Sequence, residues 1–306
     1  MHKLLVIAGP TATGKTKLAL ELIKSLNGEI VSADARQVYK YMDIGTGKDK
    51  RVIASYGLRI ANYDLVNPDQ KFSVADYLRL TVPVVKDIWQ RKKLPILVGG
   101  TGFYIKAVID GIESMGIEPD WELRRELGEL SMEKLQERLK DLKVQEFNQM
   151  NQSDRKNPRR LIRKIEIAKR GSVVVNRQKL RIDSLLMIGL TAPKEYLFRR
   201  IEERVEDRVR EGMEREIKEL LRKGYNWGNS VMGTTLGYQE WREYFEGGLS
   251  KEAVIVKWKQ AEKEYARRQL VWFKKEKRIK WLDISRSGWE NRLQRCLKKS
   301  NFLVVR

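Results

Sequence analysis

The sequence has 306 residues, and its 62 Lys and Arg against 41 Asp and Glu give a formal net charge of +21. It contains one His and one Cys. With His2 near the N-terminus and Cys296 as the single cysteine, a Ser-His-Asp triad, a Cys-His pair and a Cys/His zinc site are excluded. A general base must therefore be a carboxylate, and the lone cysteine indicates a reducing, cytoplasmic compartment.

The charge surplus indicates a polyanionic partner. Nucleic acid is the leading candidate, an anionic membrane is the second, and solvated charge on a heat-tolerant protein is the alternative without a partner. No run of eighteen apolar residues occurs in the sequence, so we predict no membrane-spanning helix and no membrane partner. We expect a soluble, unprocessed protein that acts as a monomer.

The first third of the chain alternates short apolar runs with helical patterns. Such alternation is typical of a parallel sheet with crossover helices. The predicted strands are residues 3–8, 29–33 and 94–98, and the predicted helices are residues 15–26 and 75–90, the second one interrupted or kinked near Pro83.

Helical patterns dominate the rest of the chain. Asn157 before Pro158 is a good helix start, because Asn caps and Pro suits the first helical position. Apolar residues recur every fourth position from Leu197 to Leu221, with Arg200, Arg204 and Arg208 in a neighbouring row. We predict a first α/β core segment at residues 1–111, a helical insertion domain that contacts the partner at 112–180, and helices with one strand that pack back on the core at 181–306.

Residues 9–16, GPTATGKT, match the Walker A pattern between a predicted strand and a predicted helix. Backbone N–H groups, the helix dipole and Lys15 can bind phosphate there, and the Thr16 hydroxyl can ligate Mg²⁺. The pattern predicts a P-loop NTPase-like fold, and the alternative is a chance glycine turn. The loop alone leaves open whether the phosphate belongs to ATP, GTP or another diphosphate. The predicted contacts are Gly9, Thr11, Ala12, Thr13, Gly14, Lys15 and Thr16.

Phosphoryl transfer needs a second acidic residue after an apolar strand. The strand at 94–98 instead ends in Gly99-Gly100-Thr101-Gly102, hereafter the GGTG turn. Asp34, after another strand, can fill the acidic role, so a P-loop kinase of a small molecule stays open. The GGTG turn, however, indicates a ligand close to the backbone and a hydroxyl that is directed at it.

Eight separated blocks together resemble the tRNA dimethylallyltransferase family, also called the tRNA isopentenyltransferases. They stand in the family's order and cover nearly the whole chain. The blocks are GPTATGKT at 9–16, SADARQVYKYMDIGTGK at 32–48, FSVADY at 72–77, GGTGFYIKA at 99–107, NPRRLIRKIEIAKRG at 157–171, RIEERV at 200–205, LGYQE at 236–240 and YARRQLVWF at 265–273.

The resemblance implies transfer of a dimethylallyl group from dimethylallyl diphosphate to N6 of the adenine immediately 3′ of the tRNA anticodon, with release of pyrophosphate. It implies that the Walker A loop holds the diphosphate of this donor. Asp34 stands at the position of the general base, which agrees with the shortage of other bases. Thr101 stands where the family hydrogen-bonds the departing oxygen, and Lys15, Mg²⁺ and Arg204 neutralise the diphosphate.

The resemblance and the basic patterns also predict contacts with the tRNA anticodon stem-loop. Trp272 and Phe273 can stack on bases, but their helical spacing favours the core. The sequence departs from the family at Ala35, which is commonly Ser, and at Ala61-Asn62, where a His pair often stands. The predicted tRNA contacts are Asp34, Ala35, Arg36, Gln37, Thr101, Pro158, Arg159, Arg160, Arg163, Arg267, Arg268 and Gln269.

Three alternatives remain beside this function. An adenylate isopentenyltransferase would act on free AMP or ADP, but a small nucleotide needs no large basic surface. The second is the small-molecule kinase, and the third, a non-catalytic RNA-binding module, leaves the Walker A loop unexplained.

Most of the charge surplus is confined to residues 155–181, with a net charge of +10, and residues 257–280, with a net charge of +7. Two such segments suit the phosphates of a stem-loop.

Overall fold

The computed structural model describes residues 1–48, 50–112, 117–170 and 180–303. The chain divides into two compact units, of which the first comprises Met1–Ile109 and Leu180–Arg306 and the second Asp110–Lys179. The insertion predicted at 112–180 includes residues 113–116 and 171–179, which lie outside the described residues. Its exact boundaries and its contact with a partner stay predictions.

The first unit is built on a five-stranded parallel sheet with strand order β2-β3-β1-β4-β5. The central strand β1 and its neighbour β3 are almost entirely buried, as expected for apolar strands covered on both faces. The predicted α/β fold with a parallel sheet is confirmed. The strands are β1 (Lys3–Ala8), β2 (Gly28–Ser32), β3 (Leu94–Gly99), β4 (Ser184–Thr191) and β5 (Ile279–Asp283).

Thirteen α-helices accompany these strands in the described part of the chain. The helices that begin in the first unit are α1 (Lys15–Leu26), α2 (Lys50–Ser55), α3 (Val74–Gln90), α4 (Gly102–Asp110), α9 (Lys194–Glu211), α10 (Met213–Arg222), α11 (Arg242–Phe245), α12 (Lys251–Phe273) and α13 (Trp289–Lys299). Those of the second unit are α5 (Trp121–Gly128), α6 (Met132–Gln149), α7 (Gln152–Arg155) and α8 (Pro158–Lys169).

Helix α3 is not interrupted at Pro83, contrary to that part of the prediction. A capping box between Ser73 and Asp76 starts the helix. Pro83 lies on its exposed side, whereas Val82 and Val85 are buried on either side of it. Packing of this apolar face therefore outweighs the cost of a missing backbone hydrogen bond.

The apolar pattern from Leu197 to Leu221 belongs to two helices and not to one. Gly212 between α9 and α10 has φ +107°, which an L side chain rarely adopts, and its N–H bonds to the last carbonyls of α9. The apolar face continues across the break with Met213 and Ile217 buried, and near the end of α10 Leu220 is buried while Leu221 is partly buried.

The second unit has a small apolar core of its own. Leu127, Leu139, Leu161 and Ile165 from α5, α6 and α8 are fully buried in it. Asn157 caps α8 and Pro158 is its first residue, as predicted. Among the residues that the structure describes, no helix is long and apolar enough to cross a membrane.

Candidate active site

The Walker A loop connects β1 to α1 at the carboxyl ends of the parallel strands, the edge at which such sheets bind ligands. Pro10 closes the loop, because its carbonyl accepts hydrogen bonds from the Thr13 hydroxyl at 2.9 Å and from Lys15 Nζ at 2.7 Å. Burial, reinforced by the nearby Arg204 guanidinium, lowers the pKa of Lys15 to about 7. The loop is thus held in shape and surrounded by positive charge.

The arginine row of α9 faces this loop. Arg200 Nε donates to the carbonyl of Ala12 at 2.8 Å, and Arg204 Nη1 donates to Thr11 Oγ1 at 3.0 Å. Residues four apart share one helix face. Two successive members of the row therefore contact the loop that was predicted to hold a diphosphate.

Asp34 and Thr101 follow the neighbouring strands β2 and β3. Asp34 Oδ1 accepts a hydrogen bond from the Arg36 N–H at 2.9 Å, and Thr101 Oγ1 accepts one from the Ala35 N–H at 3.0 Å. Because Ala35 occupies a lone pair of this oxygen, the Thr101 hydroxyl proton remains to be donated elsewhere. The contact uses only the backbone of Ala35, so the departure from Ser at this position does not remove it.

These elements enclose a cavity of about 820 Å³ in the first unit. It is wide enough for a small ligand with a charged head. Thr101 is not among its lining residues but directly follows Gly100, which is. The predicted site residues that line the cavity are Thr11, Ala12, Gly14, Lys15, Thr16, Asp34, Arg36, Gln37, Arg204, Arg268 and Gln269.

Three residues predicted to contact tRNA have polar partners inside the protein, and their contact with tRNA stays a prediction. Gln37 accepts a hydrogen bond from Ser32 at 2.9 Å and donates one to the Gly47 carbonyl at 3.1 Å. Arg36 Nη2 donates to the Thr234 carbonyl at 2.9 Å. Gln269 is only 5% exposed, and both ends of its amide are hydrogen-bonded.

The arginines of α8 also differ from one another. Arg159 and Arg160 are both exposed, and Arg160 pairs with Asp154. Arg163 pairs with the buried Glu166 and donates to the Ile117 carbonyl at 2.9 Å. Arg163 therefore connects parts of the second unit. The sequence did not predict this, because its periodicity separates apolar from polar faces but does not reveal a buried acidic partner.

The predicted residues at the end of α12 show a similar division. Arg267 and Arg268 are exposed; Arg267 pairs with Glu264, and Arg268 lies 5.8 Å from the Tyr265 ring. Phe273 is fully buried, so it belongs to the core as its helical spacing favoured.

A buried lysine near the site was not predicted to have a role. Lys48 is 0% exposed, and its Nζ donates to the Tyr39 carbonyl at 2.5 Å, to Asp43 at 2.8 Å and to Asp64 at 2.6 Å. Lys50 pairs with the same two carboxylates. This network holds residues 44–48, IGTGK, in place. In the sequence, the only indication of a role for Lys48 was that this segment lies in a block that resembles the family.

A carboxylate from α10 holds the same segment. Glu216 accepts hydrogen bonds from the N–H groups of Asp43, Ile44 and Gly45 at 2.7 to 3.1 Å. The hydroxyl of the fully buried Tyr238 donates to Glu216 at 2.5 Å. The LGYQE block thus supplies a structural support for one wall of the cavity.

Comparison with known proteins gives consistent matches. The family model described as "IPP transferase" matches residues 37–276, and the model "Isopentenyl transferase" matches residues 2–59. The chain is 38% identical to a tRNA dimethylallyltransferase of Thermoanaerobacter sp. (strain X514), over 92% of each chain, and 36% identical to that of Acetivibrio thermocellus, over 97% of each.

Solved structures agree with this similarity. A tRNA isopentenylpyrophosphate transferase from Bacillus halodurans aligns over 98% of each chain with a TM-score of 0.69 and 34% identity. A eukaryotic dimethylallyltransferase acting on tRNA aligns over 98% of this chain and 79% of its own with a TM-score of 0.81. At 24% identity the second match supports the fold alone.

Proposed function

Because the chain belongs to the IPP transferase family, we propose that it is a tRNA dimethylallyltransferase. It transfers the dimethylallyl group of dimethylallyl diphosphate to N6 of the adenine immediately 3′ of the anticodon and releases pyrophosphate. The observation that carries this proposal is the cavity that joins a Walker A loop to Asp34 and Arg204. A small-molecule kinase and an enzyme for free AMP or ADP are disfavoured, because the relatives are named for tRNA.

The Walker A loop binds the diphosphate of the donor. Backbone N–H groups at the N-terminus of α1 point toward the phosphate oxygens, while Lys15 and Arg204 supply positive charge. When the allylic C–O bond breaks, negative charge builds on the departing pyrophosphate. Arg204 and the donated proton of the Thr101 hydroxyl stabilise that charge.

Asp34 acts as the general base. The exocyclic amine of adenine is a weak nucleophile, so its attack on the allylic carbon is assisted by a carboxylate that accepts the proton. The N6–C bond forms as the C–O bond breaks, the N6 proton passes to Asp34, and the electron pair leaves with pyrophosphate. Asp34 serves this role because its Oδ1 hydrogen bond to the Arg36 N–H fixes the carboxylate.

The Thr16 hydroxyl would hold Mg²⁺ in this site. Thr16 lines the cavity at the start of α1. No cluster of three or more His, Cys, Asp or Glu that could hold a metal occurs among the described residues, and oxygens of the diphosphate and water would complete the coordination. When bound, the ion neutralises negative charge on the diphosphate.

The tRNA reaches the site with its target adenine turned out of the anticodon loop, since a stacked base cannot enter the cavity. Exposed arginines of the two basic segments, Arg159, Arg267 and Arg268, bind phosphates. The enzyme acts in the cytoplasm as a monomer.

The proposal is tested by incubating the purified protein and Mg²⁺ with labelled dimethylallyl diphosphate and, in parallel, unmodified tRNA, AMP or ADP. We expect label in tRNA alone. Label in AMP or ADP would identify the enzyme for free nucleotides. Failure to label tRNA, together with ATP-dependent phosphorylation of a small acceptor, would identify a kinase.

A further inference from the structure

The Gln269 side chain joins two parts of the candidate active site that are far apart in sequence. Its Oε1 accepts a hydrogen bond from the Thr11 N–H at 2.8 Å, and its Nε2 donates one to the Gly100 carbonyl at 3.0 Å. An amide carries its acceptor and its donor in one rigid plane. A single side chain on α12 therefore sets the separation of the Walker A loop from the GGTG turn.

The GGTG turn packs directly against α12 because it has almost no side chains. A Cβ at Gly100 would lie 2.2 Å from Gln269 Nε2, and a Cβ at Gly102 would lie 2.1 Å from the Trp272 ring. Gln269 and Trp272 are three positions apart and share a helix face. This close contact fixes the turn against the helix.

Each end of the amide is one residue away from a group that meets the departing pyrophosphate. Thr11, bound through its N–H, accepts the hydrogen bond of Arg204 on its hydroxyl. Gly100, bound through its carbonyl, directly precedes Thr101. Both leaving-group contacts are therefore linked to one buried side chain.

We propose that Gln269 is a positioning residue for the transfer reaction and not a contact for tRNA. Although Gln269 lines the cavity, both ends of its amide are hydrogen-bonded to the protein, and through them it holds Arg204 and Thr101 at the separation that the departing pyrophosphate requires. The proposal rests on the proposed function. Displacement of catalytic groups by about 1 Å can cost about 100-fold in rate, so loss of this link is expected to reduce kcat.

The main test replaces the amide by a hydrocarbon of similar size in Gln269→Leu. We expect kcat for transfer to tRNA to fall about 10- to 100-fold, while the Kd for tRNA, measured by filter binding, stays within about twofold because Gln269 makes no RNA contact. Val271→Ala is the matched control, since Val271 lies on the same helix and is 61% exposed; its kcat and Kd should equal those of the wild type.

Gln269→Glu gives a second readout that a general packing role would not produce. A carboxylate still accepts from the Thr11 N–H but places an oxygen against the Gly100 carbonyl, whereas the protonated acid again donates there. The ratio of variant to wild-type kcat should therefore rise as the pH is lowered toward the pKa of the acid, which burial raises. If Gln269→Leu does not fold, the pH dependence of Gln269→Glu is the test of the proposal.

Three results would overturn the proposal. One is a tenfold weaker Kd for tRNA with unchanged kcat, which would make Gln269 an RNA contact. Another is unchanged kcat in Gln269→Leu, and the last is a pH-independent ratio for Gln269→Glu. Absence of transfer by the wild-type protein would instead refute the proposed function, so the two failures are distinguishable.

Discussion

Asp34 and Thr101 meet because they follow adjacent parallel strands, whose carboxyl ends lie at one edge of the sheet. The Thr101 N–H bonds to the Ala33 carbonyl at 3.1 Å and the Ala35 N–H returns to the Thr101 hydroxyl. These two hydrogen bonds connect Thr101 to the backbone on both sides of Asp34. Substitution of a single residue can therefore test the role proposed for it.

Replacement of Asp34 tests the general base. Asp34→Ala should reduce kcat by about 10²- to 10⁴-fold, since that is the usual contribution of a positioned base. Asp34→Asn, which keeps the shape and the Arg36 contact, should lose the same activity. The Kd for tRNA should change little in both, and full turnover in either variant would show that the base lies elsewhere.

The lowered pKa of Lys15 predicts a pH effect on diphosphate binding. The free protein loses the Lys15 proton near pH 7, whereas a bound diphosphate favours the ammonium. Affinity for inorganic pyrophosphate should therefore fall as the pH rises above about 7, because binding must first restore the proton.

Calorimetric titration of wild type and Lys15→Arg between about pH 6 and 9 measures this effect, since a guanidinium keeps its charge throughout. Subtraction of the variant's curve removes the titration of pyrophosphate itself. Parallel affinity curves for the two proteins would contradict the assignment of the titration to Lys15.

At the scale of the elements, α9 and α12 form the wall opposite the sheet edge. They are joined by ion pairs of Arg208 with Glu262 at 3.0 Å and of Glu206 with Lys259 at 2.6 Å. The first of these pairs is buried, so removal of one partner would leave an unpaired charge. This wall carries both Arg204 and Gln269, so the packing of α9 against α12 determines where these two side chains lie.

Glu166 should dominate the stability of the second unit. Burial raises the pKa of its carboxyl, but hydrogen bonds from Arg124 and Arg163 outweigh this and lower the pKa below the ordinary value. Glu166→Ala should cost about 3 kcal/mol, because it leaves two cations without their partner. Faster hydrogen exchange in α5 and α8 measures the loss.

Glu126→Ala is the matched control, because the pair that Glu126 forms with Arg138 is exposed and its loss should cost less than about 1 kcal/mol. The contribution of Glu166 should be present above its ordinary pKa of 4.5 and be lost as the pH falls below it. Equal exchange rates in the two variants would contradict the account.

The resemblance to the family and the parallel sheet were predictable because motif spacing and local periodicity encode them, and both are confirmed. The hydrogen bond between Gln269 and the Thr11 N–H could not be predicted, since the two residues are 258 positions apart in the chain. The break at Gly212 was also missed, because a four-residue apolar period continues through it in sequence while the backbone turns. Long-range polar pairs and the helix break at Gly212 are determined only in the folded chain.

For the molecule as a whole, the net charge of +21 is the property that matters for binding a polyanion. The structure shows that the basic segments are not uniform. Arg163 is committed to an internal ion pair with Glu166, whereas Arg159 on the same helix is exposed. Only part of the surplus is therefore available to phosphates.

Salt dependence of tRNA binding tests this division. Arg159→Gln should reduce the slope of log Kd against log salt concentration by about 0.8, which corresponds to one phosphate contact. Arg292→Gln, an exposed arginine of α13 outside both basic segments, removes the same charge and should leave the slope unchanged. Equal slopes for the two variants would show that the charge acts only globally.

In the proposed reaction, one adenine of tRNA receives the dimethylallyl group. The most direct test of this reaction is mass spectrometry of nucleosides from an unmodified tRNA after incubation, beside the same tRNA with guanine in place of the adenine immediately 3′ of the anticodon. The account predicts N6-dimethylallyl adenosine at that single position in the first tRNA and no product in the second. A product at another nucleotide, or equal modification of both tRNAs, would contradict it.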